Sequence, residues 1–273
     1  KIATGNLIVT PALIGPSGRY DAADGLVVET AAEGDGYIIS GTKLFVTDAH
    51  IADYIICVAR RGNGFTLFLI DSKSPGISCS LLKTIAGDKQ CEVMFDKVRV
   101  PPENILGEPD LGWDRLQGEL VKAAVGKCAE MVGGVQQVFE MTVDYTKDRK
   151  QFGHHIGSFQ IIQQYCANMF IDVEACRNVT YDAAWKISAG LPYIKEAAIA
   201  KAWVNESYQR VIMLAHQIHG AIGISSDHDL GLYTKRAKAA EVMLGDGNFH
   251  REIIAQKIAL WFFNASHQGG YYV

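Results

Sequence analysis

Four short stretches bring together residue types that do chemistry. In RKQFG, residues 149–153, a guanidinium and a carboxamide stand beside an aromatic ring. Arginine offers a planar fork that matches two phosphate oxygens, and an adjacent aromatic suits an attached ring system. Arg149 and Lys150 would equally favour the last turn of a helix, with Gly153 as its stop, so capping alone explains the charges. In QIHGAIG, residues 217–223, clustered glycines permit close backbone approach to a ligand, and a plain helix stop is the alternative. In GTKLFVTDA, residues 41–49, Phe45 and Thr47 lie two apart and so share one face of a strand. Such a pair is more often sheet core and edge. In AEVMLGDGNFHREIIA, residues 240–255, one helix ends, a glycine break follows, and Asp246 suits the start of an amphipathic helix.

Other reactive types point nowhere specific. His154 and His155 are adjacent and cannot share a helix face for a metal, and His216, His219 and His250 read as satisfied structural residues. Six cysteines are scattered, none as C-x-x-C and none at metal-ligand spacing from a histidine. No metal site is expected, and a reducing compartment with idle thiols is. A net charge of −4 gives no electrostatic footprint for nucleic acid. No apolar run reaches the roughly 18–20 residues that span a bilayer, and no segment of signal-peptide type opens the chain.

The elements that must position these residues fall into two halves. From Leu26 to about Val100, alternating β-branched and aromatic runs are separated by turn signals such as EGDGY and RRGNG. This half predicts an antiparallel barrel or sandwich, and VPPENILGEP reads as its stop and linker. Helical patterns follow: one over residues 113–146, one from Ser158, whose hydroxyl can cap it, to 188, one to 218, a short one to 244, and one from 246. Long helices with short connections predict an antiparallel bundle. The fold class is therefore α+β, a β-barrel or sandwich over residues 1–108 followed by an antiparallel four-helix bundle over residues 109–273.

Taken in order, GYIISGTKLFVTDAHIADYIICVAR, VMFDKVRVPPENILGE, DRKQFGHHIGSFQIIQ, EAAIAKAW, QIHGAIG and FHREIIA resemble the acyl-CoA dehydrogenase family over nearly the whole chain. The resemblance implies a β-barrel middle domain and a C-terminal four-helix domain that bind FAD in a dimer-of-dimers tetramer. It places Thr47 near flavin N5 with Phe45 against the ring, and Thr10 near the pyrimidine end. Arg149, Gln151 and Phe152 would hold the adenosine-diphosphate part of a flavin bound mainly by the neighbouring subunit, and Gln160, Gln217, Gly220 and Ala221 would add to that grip. Asp246 would lie beside the flavin and the acyl chain. The implied substrate is an acyl-CoA thioester, the implied electron acceptor an electron-transferring flavoprotein, and the implied setting the cytoplasm, or the mitochondrial matrix in a eukaryote.

Three departures qualify this. The family usually has a helical domain of roughly a hundred residues before the barrel, an ordinary domain size, and here the chain starts almost at the barrel. The family's T-E-P-G-x-G-S-D loop is replaced by the longer TPALIGPSGRYDAAD, without the acid and the tight glycine pair, and Ser17 could replace the lost hydroxyl. Counting without gaps from QIHG, the family's catalytic glutamate falls on Leu244, and Arg251 then matches the arginine of the final helix. The reaction removes a proton α to a thioester while a hydride leaves the β carbon, and the proton needs a positioned base. The alternative family position for the glutamate, on the first long helix, is Ala123; Glu119 lies one turn earlier on the same face. Glu241 and Asp246 flank Leu244, and both read as surface or cap residues.

The resemblance, with these departures, implies the base-lacking subunit of a heteromeric FAD-dependent acyl-CoA dehydrogenase, in a homo- or hetero-tetramer with a glutamate-bearing paralogue. Two alternatives stand beside it. One is an active flavoenzyme with a relocated base, Glu119 for example, or monooxygenase chemistry. The other is a non-enzymatic structural partner.

Overall fold

The structure, a computed structural model, describes residues 1–18, 28–33, 36–61 and 64–267. Two compact units emerge, Lys1–Glu119 and Leu120–Val273. The first holds β1 (Val9–Ala12), β2 (Val28–Glu33), β3 (Gly36–Thr47), β4 (Tyr54–Arg61), β5 (Gly64–Asp71), β6 (Ile77–Leu82) and β7 (Gln90–Val100). The sheet runs β1-β4-β2-β3-β7-β6, with β5 paired to β4. Neighbouring hairpin strands are antiparallel as expected, while β1 lies parallel to β4, Val9 opposite Tyr54. Alternation in the sequence becomes alternation in burial. On β7, Cys91, Val93 and Phe95 are buried; then the parity changes and Val98 and Val100 are buried. The change coincides with Lys97 in the left-handed region (φ 52) opposite a register shift at Ile39/Gly41, the geometry of a β-bulge. The core gathers Val28, Ile39, Ile55, Phe68, Ile70 and Phe95, each worth roughly 1.5–3 kcal/mol of burial.

The expected linker does not hang free. In VPPENILGEP, Asn104 Nδ2 donates to Leu69 O at 3.0 Å and Leu106 N to Leu67 O at 2.9 Å, so the segment is stitched along β5. The two compact units divide within α1 (Gly112–Asp148).

The second unit continues with α2 (Gln160–Ser188), α3 (Ile194–His219), the one-turn α4 (Ala221–Ile224), α5 (Leu230–Val242) and α6 (Gly247–His267). α3 packs on α2, α4, α5 and α6. Its buried face is rich in alanine, Ala197, Ala198, Ala200, Ala202 and Ala215, which lets neighbouring helices approach closely, and it also buries Lys201 and Asn205. The core adds Val125, Met131, Val135, Met169, Val173 and Leu230. Among the described residues no helix is long and apolar enough to cross a membrane.

Two helix ends differ from expectation. Ser158 does not cap α2: its hydroxyl donates to His155 O at 2.7 Å within a 3-10 turn, and α2 begins two residues later. Nor is Gly153 the stop of α1. The helix ends at Asp148, and β8 (Lys150–Gln151) pairs with β9 (His154–His155) across a two-residue turn, Phe152–Gly153. Both turn residues have positive φ, 51 and 80, as a type I′ hairpin requires.

Candidate functional site

In the first unit, β1 and β3 place the three predicted residues together. The Thr10 hydroxyl, buried, donates to Thr47 O at 2.5 Å. A second register shift, between Lys43 and Val46, inserts an extra residue into β3, and Phe45 there has φ 56. A left-handed aromatic residue is a genuine outlier, held only where its surroundings over-determine it. Here Leu44 N donates to Ile14 O at 2.8 Å, and the wholly buried Lys43 donates its Nζ to Leu13 O at 3.1 Å. Burial lowers the Lys43 ammonium from its ordinary value, with Cys57 opposing. The outcome is that Val46 is buried while Phe45 and Thr47 are both exposed on one face. The replaced loop is half strand: Ala12 and Ile14 are buried, and residues 15–18 turn back with Gly18 N on Gly15 O. Ser17 sits exposed on that turn, and residues 19–27 lie outside the described part.

In the second unit, the RKQFG hairpin and the QIHGAIG turn come together through Tyr145, which sequence reading passed over, and His219, which it read as structural. The Tyr145 ring stacks on His219 with centroids 4.4 Å apart. Arg149 N caps Tyr145 O at 2.9 Å, and Gly220 follows His219 directly, with φ 63. Phe152, 90% exposed at the hairpin tip, meets Phe159 edge-on at 6.3 Å, which brings the hairpin to Gln160 at the start of α2. Arg149, Gln151, Phe152, Gln160, Gln217, Gly220 and Ala221 are all exposed. Among the described residues the Arg149 guanidinium has no carboxylate or hydrogen-bond partner. His216 and His219 are only half satisfied. His219 Nδ1 meets Ala215 O at 2.9 Å and His216 Nε2 meets Thr234 Oγ1 at 2.8 Å, while the other ring nitrogen of each is buried without a partner. Burial lowers both imidazoles from their ordinary pKa.

Between α5 and α6 lies the turn with residue 244. Leu244 (φ 60) and Gly245 (φ 97) are consecutive left-handed residues. A Cβ at Gly245 would come within 2.3 Å of the Phe249 ring and 2.9 Å of His250 Nε2, so only glycine fits. Leu244 itself carries a strain of about 1–2 kcal/mol in this region. Asp246 is the cap expected of it, its Oδ1 accepting Phe249 N at 2.8 Å. Leu244 O accepts from buried His250 Nε2 at 2.9 Å. Burial pushes the His250 imidazole down to about 4, so it is neutral at pH 7. Arg251 pairs with Glu206 on α3. The other acids considered as bases are accounted for differently. Glu241 is engaged by Lys238 Nζ at 2.8 Å and Gln209 Nε2 at 3.2 Å, and Glu119 is exposed on α1. No cluster of His, Cys, Asp and Glu among the described residues could hold a metal, and the six cysteines are free thiols.

Comparison with known proteins decides the family. The acyl-CoA dehydrogenase C-terminal domain matches residues 110–259, and the middle domain matches residues 16–98. The chain belongs to the acyl-CoA dehydrogenase family. It is 32% identical over 247 residues to the mitochondrial short/branched chain specific acyl-CoA dehydrogenase of Bos taurus, covering 87% of this chain and 57% of that protein. The chain thus spans little more than half of that relative. The butyryl-CoA dehydrogenase structure of Megasphaera elsdenii superposes with a TM-score of 0.89 at 28% identity, covering 93% of this chain and 69% of that one. A solved structure described as an electron transferring flavoprotein of Acidaminococcus fermentans gives 0.90 at 28%, covering 94% and 70%.

Members of the acyl-CoA dehydrogenase family are FAD-dependent flavoproteins. The residues present fit that cofactor in part. An exposed guanidinium without a partner among the described residues, with carboxamides, glycine backbone and an aromatic tip, is the donor set a pyrophosphate and adenine need. The Phe45–Thr47 face presents an exposed aromatic ring and a hydroxyl, of the kind a flavin ring would need. The loop after β1 is the poor fit, because apolar Ala12 and Ile14 turn into the core and Ser17 alone is polar and exposed among the described residues there.

Proposed function

We propose that this chain is the base-lacking subunit of a heteromeric, FAD-dependent acyl-CoA dehydrogenase, assembled as a tetramer with a glutamate-bearing paralogue. The observation that carries the reading is Leu244. The turn keeps its left-handed backbone, its glycine, its aspartate cap and its histidine contact, yet its side chain has no lone pair to accept a proton. Bound FAD supplies the hydride acceptor. This chain's part is to bind and orient. Arg149, Gln151 and Phe152, with Gln160, Gln217, Gly220 and Ala221, grip the adenosine-diphosphate end of the neighbouring subunit's flavin. In the first unit Thr10, Phe45 and Thr47 offer a face to a flavin ring, and in the second Asp246 caps the helix that follows residue 244. The backbone N–H of residue 244 helps polarise a thioester carbonyl, and the leucine side chain gives the acyl group an apolar wall.

The proposed substrate class is an acyl-CoA thioester and the proposed electron acceptor an electron-transferring flavoprotein, in the cytoplasm or a mitochondrial matrix. Six free thiols agree with a reducing compartment. The test is composition. Tagged in its own host and weighed by native mass spectrometry, the assembly should contain flavin and a second acyl-CoA dehydrogenase chain with glutamate at the position matching Leu244. An assembly of this chain alone that oxidises acyl-CoA overturns the reading.

A further inference from the structure

The turn that carries residue 244 is held from behind by a buried cation. Lys201, on the inward face of α3, has no exposed surface. Its Nζ lies 2.9 Å from Asn205 Oδ1, 3.0 Å from Ala240 O, 3.1 Å from Glu241 O and 3.1 Å from Gly245 O. Ala240 and Glu241 belong to the last turn of α5, whose carbonyls lack helical donors and where a cation is favoured by the helix dipole. A capping role for Lys201 would end there. The contact to Gly245 O reaches past the helix into the left-handed turn.

Three successive residues are thereby fixed from three directions. Leu244 O is held by His250, Gly245 O by Lys201, and the Asp246 carboxylate by Phe249 N. Asn205 Nδ2 adds a bond to Glu241 O at 3.2 Å and orients the lysine. Burying an ammonium carries a large desolvation cost unless its donors are satisfied, and burial lowers the Lys201 pKa to about 8. Cys128, Glu241 and Asp246 oppose that fall, and Lys127 adds to it. A bundle core would be filled more cheaply by leucine or methionine. The lysine is explained by what it holds, a non-glycine residue in the left-handed region, which needs over-determining surroundings.

We propose that Lys201 is the positioning residue of the site, fixing the backbone of residues 244 and 245 so that the side chain and N–H of residue 244 keep one direction. The functional half of this statement rests on the reading above that the turn faces an acyl-CoA thioester. The structural half does not.

Hydrogen exchange followed by mass spectrometry, on the whole assembled protein, tests it. In Lys201→Met, exchange over residues 240–250 should rise at least tenfold, with the α1 and α2 core peptides, residues 125–138 and 169–183, unchanged. The shift of the flavin absorption band on adding butyryl-CoA should be lost in Lys201→Met and regained in Lys201→Arg, which keeps donors for the same carbonyls. If Lys201→Met does not fold, Asn205→Ala should show the same local pattern in milder form. Uniform acceleration throughout the bundle, or unchanged exchange at 240–250, overturns the proposal. Absence of any butyryl-CoA effect in the unsubstituted protein would instead sink the acyl-CoA reading, and the exchange result would still decide the role of Lys201.

Discussion

Leu244→Glu alone is expected to yield no measurable dehydrogenation of acyl-CoA thioesters by this chain. A positioned general base contributes roughly 10²–10⁴-fold, about 3–5 kcal/mol of barrier. On the proposed reading, a carboxylate introduced at residue 244 sits on a turn that is already built. The backbone there is left-handed whichever side chain it carries, and Lys201, His250 and Asp246 hold it. What the substitution does not restore is the loop after β1. Its described part buries Ala12 and Ile14 and ends in a turn whose exposed polar side chain is Ser17. Without that loop a bound thioester's α carbon is not held at the distance and angle a carboxylate at residue 244 needs, and proton transfer tolerates little misplacement. Turnover measured with an artificial electron acceptor should stay at background. Clear turnover in the single variant overturns the disabling role given to the loop, while confirming residue 244 as the position of the base.

Acid is expected to weaken the second unit through His250. Its folded pKa of about 4 lies below the ordinary 6.5, first through burial and then through Lys201, with Leu244 O and Asp246 opposing. A group with a depressed folded pKa binds protons more readily when unfolded. The stability tied to its neutral form is therefore complete above pH 6.5 and is lost as pH falls from 6.5 towards 4. The full difference is about 3 kcal/mol, a large share of a typical 5–15 kcal/mol. Urea midpoints at pH 7, 5.5 and 4.5 should fall more steeply for the natural protein than for His250→Phe. That variant loses the bond to Leu244 O at every pH but has no proton to take up, so the gap between the two should narrow with acid. A gap that stays constant from pH 7 to 4.5 contradicts the assignment.

Much of this was legible in the sequence. Period-two alternation gave the strands of the first unit because one face is buried, and the long Pro-free runs gave the helices. Asp246 was readable as a cap because the signal is local, a carboxylate three residues before an amide. The hairpin at residues 149–155 was not, because Arg, Lys and Gly describe a helix end as well as they describe a tight turn. Only the pairing of Lys150 with His155 separates the two. Ser158 misled for a similar reason: a hydroxyl near a helix start can serve a 3-10 turn just as well. The bulge that exposes Phe45 beside Thr47 is a property of two strands at once, and no alternation in β3 alone reveals it.

The candidate site followed the same division. Arg149, Phe152 and Gly220 were found as local motifs, and the Tyr145–His219 stack that joins them spans 74 residues. Lys201 was hidden altogether. Within EAAIAKAW it reads as one surface cation among alanines, and its four acceptors lie up to 44 residues away. Long-range hydrogen bonds made by side chains leave no period in the sequence.

The central claim, that this chain holds flavin geometry without the base, is tested most directly by the visible spectrum of the purified protein, recorded anaerobically before and after a panel of acyl-CoAs. The account predicts that any flavin band present shifts on binding but does not bleach. Bleaching by any acyl-CoA, with no other chain present, would contradict it and place a working base elsewhere than residue 244.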